Sequence, residues 1–462
     1  MRYYLAMANL DSYVRSQRSR MLSELRDLLR IPSISTDPSH DADCRVAARW
    51  LVDHFKAIGC SKAELLASDT HPVVYAEGPH RAGRPTLLVY GHYDVQPPDP
   101  VELWKSAPFD PTIRDGNLYA RGATDDKGQV FSIVKAFEAV SGNGQPPVNV
   151  RFLVEGQEES GSEVLFDLLD RRPELTEADA VLISDMLYYA PGYPAVETAL
   201  RGLCYAEITA RTLKADLHSG LYGGVAPNAH EALVRILSKL KSPTGRILVP
   251  GLYEAVARPP KKERNGWSKL PFKPRKFLKD EVGAKALTGL ARYSVFERMW
   301  GLPTLDIHGI VGGFVGEGAK TVIPAVAMAK VSLRLVPNQK WKTVQRQLKA
   351  AVKAVAPKYA DVAVTFVHGA DPVQVDTSAA PFALIDRAFR EVEGRSPVSI
   401  RSGGSIPVVP ALAKAGAPVI LSGIGLPDDG LHAPNEKIGV DQFLNGVRVF
   451  GRFMELMGAQ VS

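Results

Sequence analysis

A chain of 462 residues exceeds what one hydrophobic core usually serves, so two domains are expected. Its 45% hydrophobic and 23% charged residues exclude disorder, and the lack of an apolar run of about 18 residues argues against a transmembrane helix. A formal charge of +6 is modest at this length, and small anionic substrates or solubility account for it without a nucleic-acid partner.

In chain order, residues 10–30 read as an amphipathic helix with Met21, Leu22, Leu25, Leu28 and Leu29 on one face. Ile31-Pro32 ends it, because the residue before proline is pushed out of the helical region. A second helix is expected over 42–58, with Val46, Trp50, Leu51, Phe55 and Ile58 inward and Gly59 as a stop. Strands follow at 73–77 and 86–90, the second leading into Gly91-His92-Tyr93-Asp94. Residues 118–121 reach Gly122-Ala-Thr-Asp-Asp-Lys-Gly128, before a helix with Val130, Ile133, Val134 and Phe137 at core spacing. A strand over 148–154 runs into Glu155-Gly-Gln-Glu-Glu-Ser-Gly-Ser162, and another over 181–184 ends at Asp185. Buried strands alternating with helices imply an α/β sheet flanked on both faces.

From about Arg201 the texture changes. Alternating strands at 205–211, 327–336 and 362–367, with helices at 228–240 and 342–355, suggest a smaller inserted α+β domain. Residues 257–279 are rich in Pro, Lys and Arg; their prolines and scarce aromatics read as a solvated loop rather than a nucleic-acid surface. Residues 369–378 return the chain to the first domain, which closes with helix 381–393, the turn Ser402-Gly-Gly-Ser405, strand 418–421, Asp428-Asp-Gly-Leu-His432 and helix 440–457. Three cysteines, Cys44, Cys60 and Cys204, lack CxxC spacing, and the first ten residues lack a signal-peptide pattern. A cytoplasmic protein without disulfides or a thiolate metal site is expected.

The acids and histidines carry the functional argument. His92, Glu158, Glu159 and Asp185 each follow a strand, at the sheet edge where α/β proteins bind ligands. Adjacent carboxylates such as Glu158 and Glu159 repel unless positive charge sits beside them. A dication would supply it, one carboxylate binding the metal while the other moves a proton. His92, Asp125, Glu159, Asp185 and His432 suffice for two ions if one carboxylate is shared, and suit Zn²⁺, with Mn²⁺ or Co²⁺ tolerated. Asp125, in a glycine-flanked turn, is the candidate bridge. Asp94, two residues after His92, would hold the other ring nitrogen and fix its tautomer. His40, His71 and His80 read as solvent-exposed, His54 and His230 as surface or packing residues, and His308 and His368 as ordinary strand-end residues.

Gly91-His-Tyr-Asp-Val-Gln-Pro97, Arg121-Gly-Ala-Thr-Asp-Asp-Lys-Gly128, Glu155-Gly-Gln-Glu-Glu-Ser-Gly161, Ile183-Ser-Asp185 and Gly430-Leu-His-Ala-Pro-Asn-Glu436 resemble, in order, the motifs of the M20 metallopeptidases. The resemblance implies a catalytic α/β domain over 1–200 and 375–462, and a lid over 201–374 through which two copies dimerise. It implies one metal on His92, Asp185 and bridging Asp125, the other on His432, Glu159 and Asp125, and a cis peptide after the bridging aspartate. Glu158 would be the general base, and lid residue His218, in Asp216-Leu-His-Ser-Gly220, would reach a site across the dimer and steady the oxyanion.

By the same resemblance Arg334 would hold a substrate carboxylate, with Thr321 of Lys320-Thr-Val-Ile-Pro324 and the backbone N–H groups around Gly404 and Ser405. Asp185, rather than glutamate, together with the runs around His218 and Thr321, points to the carnosine-dipeptidase branch. Asp371 departs from it, standing where some animal members carry a substrate-contacting histidine. The expected activity is hydrolysis of dipeptides or similar short peptides. The alternative is an N-acyl-amino-acid deacylase of the acetylornithine deacetylase or desuccinylase type, which needs the same metals and base. An inactive relative is disfavoured, since every metal position and the base are filled.

Overall fold

Strand order decides where the chemistry falls in the computed structural model, which describes residues 2–403, 406 and 408–461. The chain forms two compact units, Met1–Thr198 with Val375–Ile400 and Ile406–Ser462, and Ala199–Gln374 with Arg401–Ser405. In the first, the sheet runs Lys62–Leu66, Val73–Glu77, Asn149–Glu155, Thr86–His92, Ala180–Ser184, Val419–Ser422 and Ala195–Leu200. From Asn149–Glu155 to Val419–Ser422 the strands are parallel, and antiparallel pairs flank them.

Leu87, Val89, Val150, Phe152 and Val154 share one core with the helices, while the alternate positions Leu88, Tyr90 and Leu153 are buried as well. A sheet buried on both faces is what parallel strands joined through helices require. Phe152 lies 4.7 Å from Phe55 and 5.6 Å from Phe137, ring centre to ring centre. Burying such a ring contributes roughly 1.5–3 kcal/mol. The helices Arg2–Leu29, Lys127–Val140, Ala380–Glu393 and Val440–Gly458 pack against one another. The expected α/β class, a mostly parallel central sheet flanked by helices, is the one observed.

Some local expectations need correcting. In the helix Asp41–Ala57 the buried face is Cys44, Ala47, Ala48, Leu51, Val52 and Phe55, and Val46 is exposed. The 3.6-residue period selects two small alanines there over a bulkier valine. The strand expected to stop at Tyr90 continues to His92, with Gly91 opposite Val154 and His92 opposite Glu155. A Cβ on Gly91 would meet Asp126 Oδ2 at 2.6 Å, so glycine is required for the approach. The edge strand Lys62–Leu66 and the helix Glu163–Arg171 are additions to the expected elements.

His54 sits in a charged cluster between helices. The buried Lys135 Nζ lies 2.7 Å from His54 Nε2, 2.5 Å from Glu24 Oε2 and 2.8 Å from Glu138 Oε2. Glu24, His54 and Glu138 are close enough to hold a metal ion, but the ammonium of Lys135 is already the cation among them. Burial, then the Lys135 charge, lowers the His54 pKa from 6.5 to about 4. The unfolded chain therefore binds the extra proton between pH 6.5 and 4, and His54's stabilisation is full above that window and drains as pH falls through it. The expected loss is about 2–3 kcal/mol. Urea unfolding at pH 7 and pH 4.5 should show it in the wild type and not in His54→Gln; an equal loss in both would exclude His54 as the cause.

The second unit carries a fully antiparallel sheet in the order Thr304–Gly312, Val326–Leu335, Gly202–Arg211 and Asp361–Ala370. Burial alternates along Gly202–Arg211, and the helices Ala229–Leu240 and Trp341–Val355 cover the inward face. Asn228 Oδ1 caps the first helix through His230 N at 2.8 Å, and Asp371 Oδ1 accepts from Trp341 N at 2.8 Å to start the second. Asp371, the noted departure, thus has a capping role. The 257–279 stretch is more ordered than the solvated loop expected: Lys261–Trp267 is helical, and Trp267 is buried against Trp300 at 5.2 Å. Among the described residues no helix is long and apolar enough to cross a membrane.

Candidate metal centre

Parallel strand register sets the first contacts. Tyr90 pairs with Ile183, so two further residues bring His92 and Asp185 to neighbouring strand ends. Asp125 stands in the turn between Asn117–Tyr119 and the helix Lys127–Val140, and the Asp125–Asp126 peptide is cis. Glu158 and Glu159 open a short 3₁₀ turn just after Asn149–Glu155. His432 comes from the loop after Val419–Ser422 and adopts φ +57°, a left-handed conformation uncommon for a residue with a side chain.

Two donor groups share one carboxylate. His92 Nε2 lies 3.3 Å from Asp125 Oδ1 and 3.9 Å from Asp185 Oδ2. His432 Nε2 lies 2.9 Å from Asp125 Oδ2 and 3.5 Å from Glu159 Oε1. Each triplet, His92–Asp125–Asp185 and Asp125–Glu159–His432, is tight enough to hold an ion. The structure thus brings together all five residues named as metal donors.

The electrostatics describe a site that wants positive charge. Burial, followed by Asp126 and Asp125, holds the Asp185 pKa well above the usual carboxylate range. Burial, with Glu159 and Asp94 adding to it, raises Glu158 to about 8. Burial works against the imidazolium of His92, yet Asp125 and Asp94 hold its pKa well above normal. Asp125 and Glu159, both close to its Nε2, raise His432 to about 10. Protons on the histidines compensate the acids here, and divalent ions would do the same. His92 Nε2 and Glu159 Oε1 are buried without a hydrogen-bond partner, so donor atoms stand ready. Imidazole and carboxylate donors in this number fit two divalent ions.

Supporting groups surround the donors. His92 Nδ1 is 3.1 Å from the Asp94 carbonyl oxygen and 3.3 Å from Asp94 Oδ1. The Asp94 carboxylate also accepts from Ser35 Oγ at 2.6 Å, Glu158 N at 3.3 Å and Glu159 N at 3.1 Å, tying the paired glutamates to the histidine. Gln96 Nε2 donates to Glu159 Oε2 at 2.8 Å, and His92 N to Asp126 Oδ2 at 3.1 Å. Glu436 accepts from three backbone N–H groups of the turn holding Asp125. Ser35, Gln96, Asp126 and Glu436 were not singled out by sequence reasoning. For Ser35 no local signal exists; Gln96, Asp126 and Glu436 lie inside motifs that carried other residues.

In the second unit His218 is exposed, and its Nδ1 accepts from Gly220 N at 2.9 Å. Thr321 is exposed and its carbonyl accepts from Ser219 N at 3.2 Å. Arg334 is half-buried on Val326–Leu335, opposite Thr304 and Leu203. Gly404 and Ser405 lie outside the described residues. His308 and His368 stack on either side of Tyr205, at 5.5 and 5.2 Å. His71, expected in solvent, has a side chain only 11% exposed, 3.5 Å from Asp41.

Known proteins resemble this chain over most of its length. Residues 88–456 match the model of the peptidase family M20/M25/M40. The chain is 33% identical to the Cys-Gly metallodipeptidase dug1 of Schizosaccharomyces pombe, over 96% of this chain and 97% of that protein. It is 33% identical to the Beta-Ala-His dipeptidase of Homo sapiens, over 83% of this chain and 76% of that protein. Among solved structures, the M20 family metallo-carboxypeptidase Sso-CP2 from Sulfolobus solfataricus superposes with a TM-score of 0.86 at 30% identity, covering 95% of this chain and 99% of that one. With its shared carboxylate, paired histidines and adjacent glutamates set on this sheet, the chain belongs to the M20/M25/M40 family of metallopeptidases.

Proposed function

We propose that this protein is a cytoplasmic metallodipeptidase that hydrolyses unblocked dipeptides with two Zn²⁺ ions. The observation that carries the reading is Asp125, whose two oxygens face two histidines, each beside a further carboxylate. His92, Asp185 and Asp125 would hold one ion, and His432, Glu159 and Asp125 the other. Bound there, the ions would polarise the scissile carbonyl and bring the pKa of the attacking water from 15.7 towards about 7. Glu158 takes the proton from that water and delivers it to the leaving amine. Asp94 holds His92 in the tautomer that leaves Nε2 free for the metal. Arg334 and Thr321 receive the substrate's C-terminal carboxylate, the forked guanidinium suiting it best.

His218 is assigned to the oxyanion. Gly220 N donates to its Nδ1, which places the ring proton on Nε2 and leaves that atom as a donor. We assign it to a site in a second copy, joined through the second unit. Supporting this pairing, edge strand Thr304–Gly312 exposes Ile307, Ile310 and Val311, an apolar edge of the kind that invites a partner. The three cysteines are free, consistent with a reducing compartment.

A panel tests the reading. Zinc-loaded protein should cleave unblocked dipeptides, and N-acetyl and N-succinyl amino acids much more slowly. Cleavage of the acylated compounds alone would make it a deacylase, and efficient trimming of N-blocked longer peptides would make it a carboxypeptidase. In the same assay His218→Ala should lose about 10²–10³-fold in turnover with its metal retained. Mixing it with Glu158→Gln protein should restore part of the activity, and no recovery would remove the action across copies.

A further inference from the structure

Glu436 belongs to neither donor group, yet it is fully buried and both its carboxylate oxygens are saturated. Arg121 Nη1 at 2.7 Å and Gly122 N at 3.0 Å donate to Oε2. Thr124 N at 2.9 Å and Asp125 N at 3.0 Å donate to Oε1. One anion therefore gathers three consecutive-turn N–H groups, including that of Asp125 itself, and a guanidinium. The pairing of Lys437–Gly439 with Asn117–Tyr119 delivers it there, and Ala120 N donates to the Glu436 carbonyl at 3.1 Å.

Asp125 must present Oδ1 towards His92 and Oδ2 towards His432, so both its position and the roll of its side chain matter. His432 lies only four residues before Glu436 on the same segment. A carboxylate at 436 that grips the Asp125 turn thus ties one histidine's loop to the shared ligand. All four partners are donors, so the pocket demands four acceptor positions, which an ionised carboxylate offers and an amide does not.

The geometry points to Glu436 as a positioning residue that fixes Asp125 against His432 and so sets the affinity for the ion on the Asp125–Glu159–His432 side. The inference rests on the two-ion reading of the centre. Its test is zinc binding by chelator competition on the full chain, beside kcat, KM and thermal melting of the metal-free protein. Glu436→Gln turns an NH₂ group towards two N–H donors whichever way the amide lies. One of the two zinc equivalents should bind about 10–100-fold less tightly than in the wild type. Lost turnover should return with added zinc, and KM should stay unchanged. Glu436→Asp keeps the charge but withdraws it by one methylene, and an intermediate weakening is expected. Wild-type zinc affinity in either folded variant, turnover that zinc cannot restore, or failure of both to fold would make Glu436 a stability residue only and overturn the inference. Fewer than two zinc equivalents in the wild type would instead remove the two-ion reading, and this inference with it.

Discussion

Glu158→Gln is expected to keep two metal equivalents and to lose about 10²–10⁴-fold in turnover, the range that positioned acid–base groups supply. The substitution preserves shape and removes only the capacity to accept a proton. None of the five donors is touched, and the backbone N–H groups of Glu158 and Glu159 still have Asp94 to bind. Metal content should therefore be unchanged while kcat falls and KM stays near its wild-type value. In the metal-free chain burial and the neighbouring Glu159 and Asp94 push the Glu158 pKa up to about 8. A carboxylate with so high a proton affinity is a better base than an exposed glutamate, and bound dications would draw it back towards the working pH. Activity retained by a metal-replete Glu158→Gln protein would end its assignment as base.

The parts of this centre legible in the sequence are those that local pattern places. His92 and Asp185 each follow a continuous apolar run, and parallel register turns two such run-ends into neighbours. Glu436 was not legible in that way, because its role arises only when strand Lys437–Gly439 pairs with Asn117–Tyr119, more than 300 residues apart in the chain. The Lys135 cluster is similar: Glu24, His54 and Glu138 come from three helices whose sides meet only in the folded core. Edge strands were the other blind spot. Lys62–Leu66 and Thr304–Gly312 are too exposed to show an apolar run, and the second is further interrupted by a register shift between Ile307 and Gly309. Val46 is the converse case: an apolar residue that the helical period turns away from the face of Cys44, Ala48, Leu51 and Phe55.

Asp125→Asn separates holding the ions from using them. The aspartate offers one oxygen to each histidine, whereas an amide has a single acceptor oxygen and must turn an NH₂ group towards one of the two sides. Charge acts in the same direction: burial opposes ionisation of Asp125, but His432 and His92 hold its pKa well below the usual range, so it is the anion both halves depend on. Loss of a direct shared ligand should cost more than the roughly 10–100-fold that removing a supporting partner costs. Zinc stoichiometry measured after dialysis is therefore expected to fall from two equivalents to one or fewer, and turnover by more than about 100-fold. Asp185→Asn makes the contrast, since Asp185 belongs only to the His92 group and its loss should weaken one equivalent and spare the other. Two tightly held equivalents in Asp125→Asn would show that the ions do not share this carboxylate. Weakening of one equivalent in Asp185→Asn, of both in Asp125→Asn with one or fewer retained, and of neither in Glu158→Gln is the pattern expected of a shared-carboxylate pair with a separate base.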